Sequence, residues 1–169
     1  MTQTTEADPP AAATVAGKFL NFFLGTEEYG IGILKVQEII GFLPITPVPR
    51  TPPFMRGVIN LRGKIIPVVD LRLKLGMEPR ERTVETCIIV VRTHGAELGV
   101  IVDKVSEVLN VQAAEVDPPP AMGAGVDTAC LLGVGKSNGR VRLLLDIDRV
   151  LSKEDLTGTL GAIAEGRTP

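Results

Sequence analysis

The sequence contains an internal repeat. Residues 19–53 match residues 88–122 at a constant offset of 69, which pairs Glu28, Gly30, Lys35, Val36 and Glu38 with Glu97, Gly99, Lys104, Val105 and Glu107. With seven more residues of offset the match resumes, pairing Gly57, Gly63 and Asp70 with Gly133, Gly139 and Asp146. Such a duplication predicts two similar small β units. No catalytic motif needs this arrangement, so the repeat favours a scaffold.

Short apolar segments separated by glycine-containing turns predict that the chain is built mainly of strands. The segments FLNFFL and EYGIGI form a predicted hairpin around residues 25–27, and CIIVVRT pairs with AELGVIV around His94 and Gly95. Asn138-Gly139 is the strongest turn signal, because both residues accept the positive φ angles of a tight hairpin. Residues 61–63 occupy the equivalent place in the first copy.

Two segments, LKVQEII and DKVSEVL, change to an apolar spacing that is typical of a helix. One predicted helix places apolar side chains on a shared face at Leu34, Val36, Ile39 and Ile40, and the other does so at Val105, Val108 and Leu109. Asp103 is then positioned to cap the second helix. Asp70 and Asp146 end apolar strands, and Asp146 can cap the turn into IDRVL.

The organisation of the chain follows from these patterns. Residues 1–17 lack apolar periodicity, residues 157–169 end the chain as TGTLGAIAEGRTP, and both are predicted tails, which leaves one domain at residues 18–156. The two repeats cover about 19–76 and 88–151. The repeat alone leaves open whether each half closes its own barrel or whether strands are exchanged.

Composition and charge exclude several classes of protein. Apolar residues make up 44% of the chain, which is ample for a core, and 18 basic residues against 20 acidic ones provide no positive field for a phosphate backbone. No apolar run approaches the roughly 20 residues of a membrane span, and the N-terminus lacks the features of a secretory signal. The sequence therefore predicts a cytoplasmic protein. Cys87 and Cys130 show no paired spacing and are predicted free thiols.

Candidate catalytic residues are few. Asp70, Asp103 and Asp146 recur where turns or helices begin, so capping explains them better than acid–base chemistry. His94 is the only histidine and lies in a predicted turn, where a solvated ring is expected. No glycine-rich segment fits a phosphate-binding fingerprint. These observations predict a protein without enzymatic activity, cofactor or metal.

Two segments carry a family resemblance. EYGIGILKVQEI, followed by PPFMRGVINLRGKIIPVVDLRLKLG, resembles the CheW-like family of bacterial chemotaxis coupling proteins, and the likeness runs from about Phe19 to Leu151. The same domain occurs in the kinase CheA and the hybrid adaptor CheV, but this chain has neither a kinase core nor a receiver domain. The resemblance implies a mainly β fold of two five-stranded SH3-like barrels with short helices, and no enzymatic activity.

The resemblance also implies partners. Members of this family join the cytoplasmic tip of a methyl-accepting chemoreceptor to the regulatory domain of CheA, in membrane-associated arrays whose rings can include other CheW copies. The positions that match the family's receptor-binding region are Val36, Glu38, Gly57 and Arg62, and, at weaker matches, Ile33, Ile65, Val105 and Val108. The loop around Asp117 to Met122 matches a kinase contact of the family by position. Its sequence, DPPPAM, carries an acidic residue where a basic one would have been equally plausible, so this match is weaker than the others.

Each matched residue has a structural alternative. Arg62 at an exposed turn can form paired hydrogen bonds to a partner carboxylate, with Gly63 supplying the unusual backbone angle, or it can be a solvated turn residue. Val36 is by pattern a core residue, whereas Glu38 could select a basic or amide group on the partner. Gly57 is expected to preserve local backbone geometry.

One rival function comes from another class. Small β-barrels often bind nucleic acid, and they do so with aromatic stacking platforms. This chain has no tryptophan, one tyrosine and 4% aromatic residues, so the nucleic-acid alternative is the weaker prediction.

Overall fold

The computed structural model describes residues 16–118, 130–137 and 139–151. The fold is mainly β, as predicted, and the described residues form eleven strands: β1 Gly17–Leu24, β2 Glu27–Gly32, β3 Val36–Gly41, β4 Met55–Leu61, β5 Lys64–Asp70, β6 Cys87–Thr93, β7 Ala96–Val102, β8 Lys104–Val111, β9 Val116–Asp117, β10 Leu131–Ser137 and β11 Arg140–Leu145. Two four-residue helices, α1 and α2, and two 3₁₀ turns accompany them: Leu71–Lys74, Ile147–Val150, Ile33–Lys35 and Ala113–Glu115.

The strands form two sheets that repeat the same order. Sheet A runs β8-β1-β2-β11-β10-β9, and sheet B runs β3-β6-β7-β5-β4. The repeat offsets match β1 to β5 with β6, β7, β8, β10 and β11, in that order. Apart from the two-residue strand β9, each strand of one sheet therefore has its repeat equivalent at the same place in the other sheet. In both sheets one pair is parallel, β2 with β11 and β5 with β7, and the other pairs are antiparallel. The prediction of two similar small β units is confirmed.

Each sheet takes strands from both halves of the repeat. The connection from β2 to β3 has three residues, and the connection from β7 to β8 has one, Asp103. β2 ends at Gly32, next to the start of β1. To pair antiparallel with β1, β3 would have to begin near the other end of β1. That point is about 20 Å from Gly32, because strands rise roughly 3.4 Å per residue and lie roughly 4.8 Å apart. Four peptide steps reach only roughly 14 Å. The chain therefore continues from one sheet directly into the other.

The predicted helices at LKVQEII and DKVSEVL are wrong. After one 3₁₀ turn the first segment is β3, in which half-buried Val36, Glu38 and Ile40 alternate with exposed Gln37 and Ile39. The second segment is β8. Two-residue alternation and β-branched side chains suit a strand, and in segments this short the same apolar positions also fit a helical spacing.

Two of the three predicted aspartate caps are confirmed. The carboxylate of Asp70 accepts from Arg72 N at 3.0 Å at the start of α1, and that of Asp146 accepts from Asp148 N at 3.1 Å at the start of α2. Asp103 precedes a strand and caps no helix. It accepts instead from Gly25 N at 2.6 Å, from Arg72 at 2.6 Å and from Arg80 at 3.1 Å, so it joins the β1–β2 turn to α1.

The predicted hairpins between β1 and β2 and between β6 and β7 are confirmed. Leu24 pairs with Glu27, and Thr93 pairs with Ala96, across two-residue turns. The strands around the third predicted turn also pair, Ser137 with Arg140, and Gly139 has φ +75°, whereas Asn138 lies outside the described residues.

The principal core contains residues of both sheets. It includes buried apolar side chains from β1, β2, β6 and β7, among them Phe22, Ile31, Ile89 and Val100. A second cluster, with Ile66 and Val90, belongs to sheet B, and a third, with Phe19 and Leu144, belongs to sheet A. The shared core packs the two sheets into one body. Within the described residues, no helix is long and apolar enough to cross a membrane.

Sheet A also buries a polar cluster made of Asn21, Glu28 and Arg142. Asn21 Nδ2 and Arg142 Nε both donate to Glu28 Oε1 at 3.1 Å, and Arg140 Nε donates to Oε2 at 2.6 Å. Burial alone would raise the pKa of Glu28, but hydrogen bonds from Asn21 and Arg140 and the two arginine charges outweigh it and hold that pKa below its ordinary value. The repeat equivalents of Asn21 and Arg142 are apolar, Val90 and Ile66.

Candidate functional site

Two of the predicted receptor-binding residues meet at one end of sheet B. Glu38 lies on the edge strand β3, Arg62 lies in the β4–β5 turn, and Arg62 Nη2 donates a hydrogen bond to Glu38 Oε1. The contact joins the two edge strands of the sheet, which sequence patterns alone could not pair. The Arg62 side chain is 68% exposed and that of Glu38 33%, so the guanidinium is the outer partner.

Three more charged side chains extend this site, and we call Glu38, Arg62, Lys64, Arg92 and Glu97 the charged end. Lys64 Nζ donates to Glu97 Oε1 at 2.5 Å, and Arg92 Nη2 lies 3.7 Å from Glu97 Oε2. The Glu97 side chain is 17% exposed, against more than half for Lys64 and Arg92. The cations therefore face solvent above deeper carboxylates, an arrangement that suits an acidic partner surface.

The pKa values at the charged end follow from these contacts. The hydrogen bond and the charge of Glu38 raise the pKa of Arg62 above its ordinary value. A hydrogen bond from Lys64, together with the nearby cations, holds the pKa of Glu97 below its ordinary value although burial opposes the shift. Both shifts favour the charged forms, so the site keeps its charges near neutral pH.

The backbone of the β4–β5 turn directs Arg62 outward. Arg62 has φ +53° and Gly63 has φ +85°, so both residues lie in the left-handed region, where the prediction assigned only Gly63. Positive φ at both central positions is the pattern of the type I′ hairpin turn. Gly63 N donates to Asn60 Oδ1 at 2.8 Å and closes the turn.

Gly57 is buried and forms part of the backbone framework. It lies at a register shift between β4 and β5 with φ +144°, and a Cβ there would stand 2.1 Å from the carbonyl oxygen of Thr46. Its repeat equivalent, Gly133, meets the carbonyl oxygen of Asp117 in the same way, at 2.9 Å. A direct contact between Gly57 and a partner has no geometric support, and its expected structural role does.

The remaining predicted receptor residues separate into two groups. Ile33, Val36 and Val105 are half-buried and pack against the principal core. Ile65 on β5 and Val108 on β8 are 45% and 48% exposed. Val105 and Val108 belong to sheet A, whereas Glu38 and Arg62 belong to sheet B.

An apolar groove lies beside the 3₁₀ turn that precedes β3. Its volume is about 510 Å³, and we call it the Leu34 groove after the side chain at its rim, which is 96% exposed. Its lining includes Phe19, Ile33, Leu132 and Ile147. Ile33 was predicted from the family match, whereas Leu34 was missed because the segment was interpreted as a helix with Leu34 on its packed face.

A group of hydrogen bonds centred on Asp148 of α2 borders the groove. Lys35 Nζ donates to Asp148 Oδ2 at 2.7 Å, and Thr93 Oγ1 donates to Oδ1 at 2.5 Å. Burial would raise the pKa of Asp148, but these hydrogen bonds hold it below its ordinary value. His94 Nε2 lies 2.8 Å from the carbonyl oxygen of Asp148 and 2.9 Å from that of Leu151, so the ring joins the β6–β7 turn to α2 where a solvated ring was expected.

The predicted kinase-contact residues are only partly described. Asp117 is exposed on β9 and forms an ion pair with Lys136 at 2.7 Å. Met122 lies outside the described residues. Within the described ranges, no group of three or more histidine, cysteine or acidic side chains could hold a metal ion. The described features suit binding to a macromolecule: a charged surface, an apolar groove and exposed β-branched side chains.

Comparison with known proteins gives a consistent result. The family model for the CheW-like domain matches residues 18–155. The chain is 42% identical over 146 residues to the chemotaxis protein CheW of Klebsiella aerogenes, which covers 86% of this chain and 88% of that protein. It is also 32% identical over 129 residues to the protein FrzA of Myxococcus xanthus, at 76% and 80% coverage.

A solved structure agrees with the sequence matches. The scaffolding protein TtCheW from Thermoanaerobacter tengcongensis superposes with a TM-score of 0.76 and 35% sequence identity, covering 83% of this chain and 96% of that one. The Klebsiella relative is named as a chemotaxis protein and the solved structure as a scaffolding protein, and none of the matched names supports the nucleic-acid alternative.

Proposed function

The chain belongs to the CheW-like domain family, a family of chemotaxis scaffolds and not of enzymes, and on that premise we propose that it couples a methyl-accepting chemoreceptor to the kinase CheA. The family match over residues 18–155 is the observation that carries this proposal. The adaptor works in the cytoplasm and is recruited to receptor clusters at the membrane. Its partners are the receptor's cytoplasmic tip, the CheA regulatory domain and, in rings, other copies of the adaptor.

The charged end and the Leu34 groove support receptor binding. The receptor tip in this family is a helical hairpin, and a helix binds an apolar groove through one face while polar residues at the rim select its charge. Ile33 lines the groove, and half-buried Val36 follows it on β3. Arg62 is already paired with Glu38, so an acidic residue of the receptor would take the place of Glu38 as the partner of Arg62.

Signalling then requires more than a physical bridge. A receptor conformation can change kinase activity through the adaptor only if the docking free energy differs between receptor states. Individual contacts can be weak, because an array holds receptor, adaptor and kinase at high effective concentration. For the kinase, the positional match favours the surface around Asp117 and Met122.

The test is a binding measurement with isolated partners. A receptor tip fragment and a CheA regulatory domain, each titrated separately by calorimetry, should both bind the protein. Arg62→Asp should weaken receptor binding by roughly tenfold or more, because it reverses the outer charge of the site, while the thermal midpoint moves by no more than about 1 °C. Lys136→Asp is the matched control, since Lys136 is another exposed cation in an ion pair, at the other sheet.

Three outcomes would count against the proposal. If the unmodified protein binds neither fragment, it is not the coupling protein of such a pair. If Arg62→Asp lowers folding stability as much as binding, Arg62 is a structural residue. If Lys136→Asp weakens receptor binding equally, the charged end has no special role.

A further inference from the structure

The Leu34 groove has an apolar lining and an exposed apolar rim. Single exposed apolar residues are common on protein surfaces. Leu34, however, lies beside a groove with a volume of about 510 Å³ whose exposed area is mostly apolar. An apolar cleft bordered by polar residues is the usual form of a site that binds another segment. Two lysines, Lys18 and Lys35, and two aspartates, Asp146 and Asp148, also line the groove, and Lys35 is paired with Asp148, so its border carries no net charge.

The described chain ends close to this groove. Asp148 lines the groove and bonds to Lys35, and Leu151, three residues further on, is held by His94 through its carbonyl oxygen. The chain outside the described structure then continues for 18 residues, from 152 to 169. Leu156 lies five residues beyond Leu151, a distance that can span roughly 17 Å when extended, so the segment can reach the groove.

The sequence of residues 152–169 complements the groove. Leu156, Leu160 and Ile163 recur at intervals of four and three residues, which places them on one face in a helical spacing. Lys153, Glu154 and Asp155 precede this apolar series. The segment therefore offers an apolar face to a groove with an apolar lining.

The other end of the chain is a poorer match. Residues 1–15 precede Ala16, which lines the same groove. Their only apolar side chains larger than alanine or proline are those of Met1 and Val15, at opposite ends of the segment. They contain no comparable apolar series.

We propose that residues 152–169 bind in the Leu34 groove of their own chain and cover the Leu34 side chain. The covalent link supplies an effective concentration of order millimolar, so even a weak intrinsic affinity keeps the groove occupied much of the time. A partner that uses the groove must displace this segment. The partner's apparent affinity is then its intrinsic affinity multiplied by the fraction of molecules whose groove is unoccupied. Ile33, a predicted receptor-binding residue, lines the groove, so the segment would compete with the receptor tip. This competition rests on the proposed function.

Methyl NMR of Ile33 and Leu34 tests the occupancy without any receptor. We expect removal of residues 152–169 to shift both methyl resonances, and a peptide of residues 152–169, added at about millimolar concentration, to return them. Leu156→Asp/Leu160→Asp should reproduce the truncated spectrum. Thr157→Asp/Ala162→Asp adds the same charge away from the apolar series and should keep the full-length spectrum.

Several results would overturn the occupancy. Identical methyl shifts in the full and truncated chains would show that the segment does not reach the groove. Shifts that change with protein concentration would assign the groove to a second copy, and shifts that follow deletion of residues 2–15 would assign it to the other terminus.

Receptor binding provides a separate measurement. The truncated chain should bind a receptor tip fragment about threefold to tenfold more tightly than the full chain. Equal affinities alongside positive NMR results would refute the competition and leave the occupancy established. Absence of receptor binding in both proteins would refute the proposed function alone.

Discussion

Glu28 and Arg142 form a buried ion pair whose two side chains are each 9% exposed. Arg142→Met should lower the free energy of unfolding by about 2–3 kcal/mol, because Glu28 loses a buried charge-assisted hydrogen bond but keeps Arg140 and Asn21 as partners. Urea denaturation measures the change. Lys136→Met removes one member of the exposed pair with Asp117 and should cost at most about 1 kcal/mol. Equal costs would show that burial does not strengthen the Glu28 interaction.

Glu28 also predicts a dependence of stability on pH. Its folded-state pKa lies below the ordinary value of 4.5, so the folded protein binds fewer protons than the unfolded chain at moderately acid pH. The stability that Glu28 contributes is therefore present above pH 4.5 and is lost as the pH falls through the folded-state pKa. Free energies of unfolding between about pH 5 and pH 3 should fall less steeply for Glu28→Gln than for the unmodified protein. Glu81→Gln, at an exposed carboxylate, should keep the original slope.

Single residues of the site differ in how well sequence could predict them. The buried cluster left a signal, because Asn21 and Arg142 replace Val90 and Ile66 of the other copy, and polar residues at apolar repeat positions indicate a local network. The bond between Glu38 and Arg62 left none. It closes the space between two edge strands, and no sequence period reports which edges approach each other.

At the scale of elements, the β4 register shift depends on a glycine. Gly57→Ala should cost about 3 kcal/mol or more, because its φ of +144° is unfavourable for any side chain and the new Cβ would overlap the Thr46 carbonyl. Gly63→Ala is the matched control: its φ is +85°, but no atom lies within 4 Å of the added Cβ, so about 1–2 kcal/mol is expected. Thermal unfolding of both variants measures the difference, and similar losses would contradict a role for the close contact.

Turns were more predictable than the segments after them. The Gly25 and His94-Gly95 turns carry their own chemistry, and both hairpins form where that chemistry predicts. β3 was assigned to a helix because Val36, Ile39 and Ile40 share one face in a helical spacing, whereas in the strand Ile39 lies on the opposite face from Val36 and Ile40. Pairing with β6, which no local pattern reports, decides in favour of the strand.

At the scale of the molecule, each half of the chain lacks the strands that complete its sheets. Fragments 1–79 and 80–169, made separately, should show no cooperative unfolding, because β1 and β2 pair with β8 and β11, and β3 pairs with β6. Mixed in equal amounts they should fold together. Circular dichroism with size-exclusion chromatography detects the complex, and cooperative unfolding of either fragment alone would contradict this account.

The repeat predicted two similar units, but not how their strands are shared. Sharing follows from the lengths of connections, three residues after β2 and one after β7. Those lengths become informative only once the strand ends are known, and the mistaken helices hid them. The family resemblance implied the two barrels and left the assignment of strands open.

The short connections also constrain the ancestry of the fold. In a polypeptide only one repeat long, the first hairpin would belong to one sheet and the later strands to the other. Such a chain could complete both sheets only by intertwining with an identical copy. Fusion of two such genes would turn a symmetric homodimer into this single chain, and the two faces could afterwards diverge to recognise different neighbours.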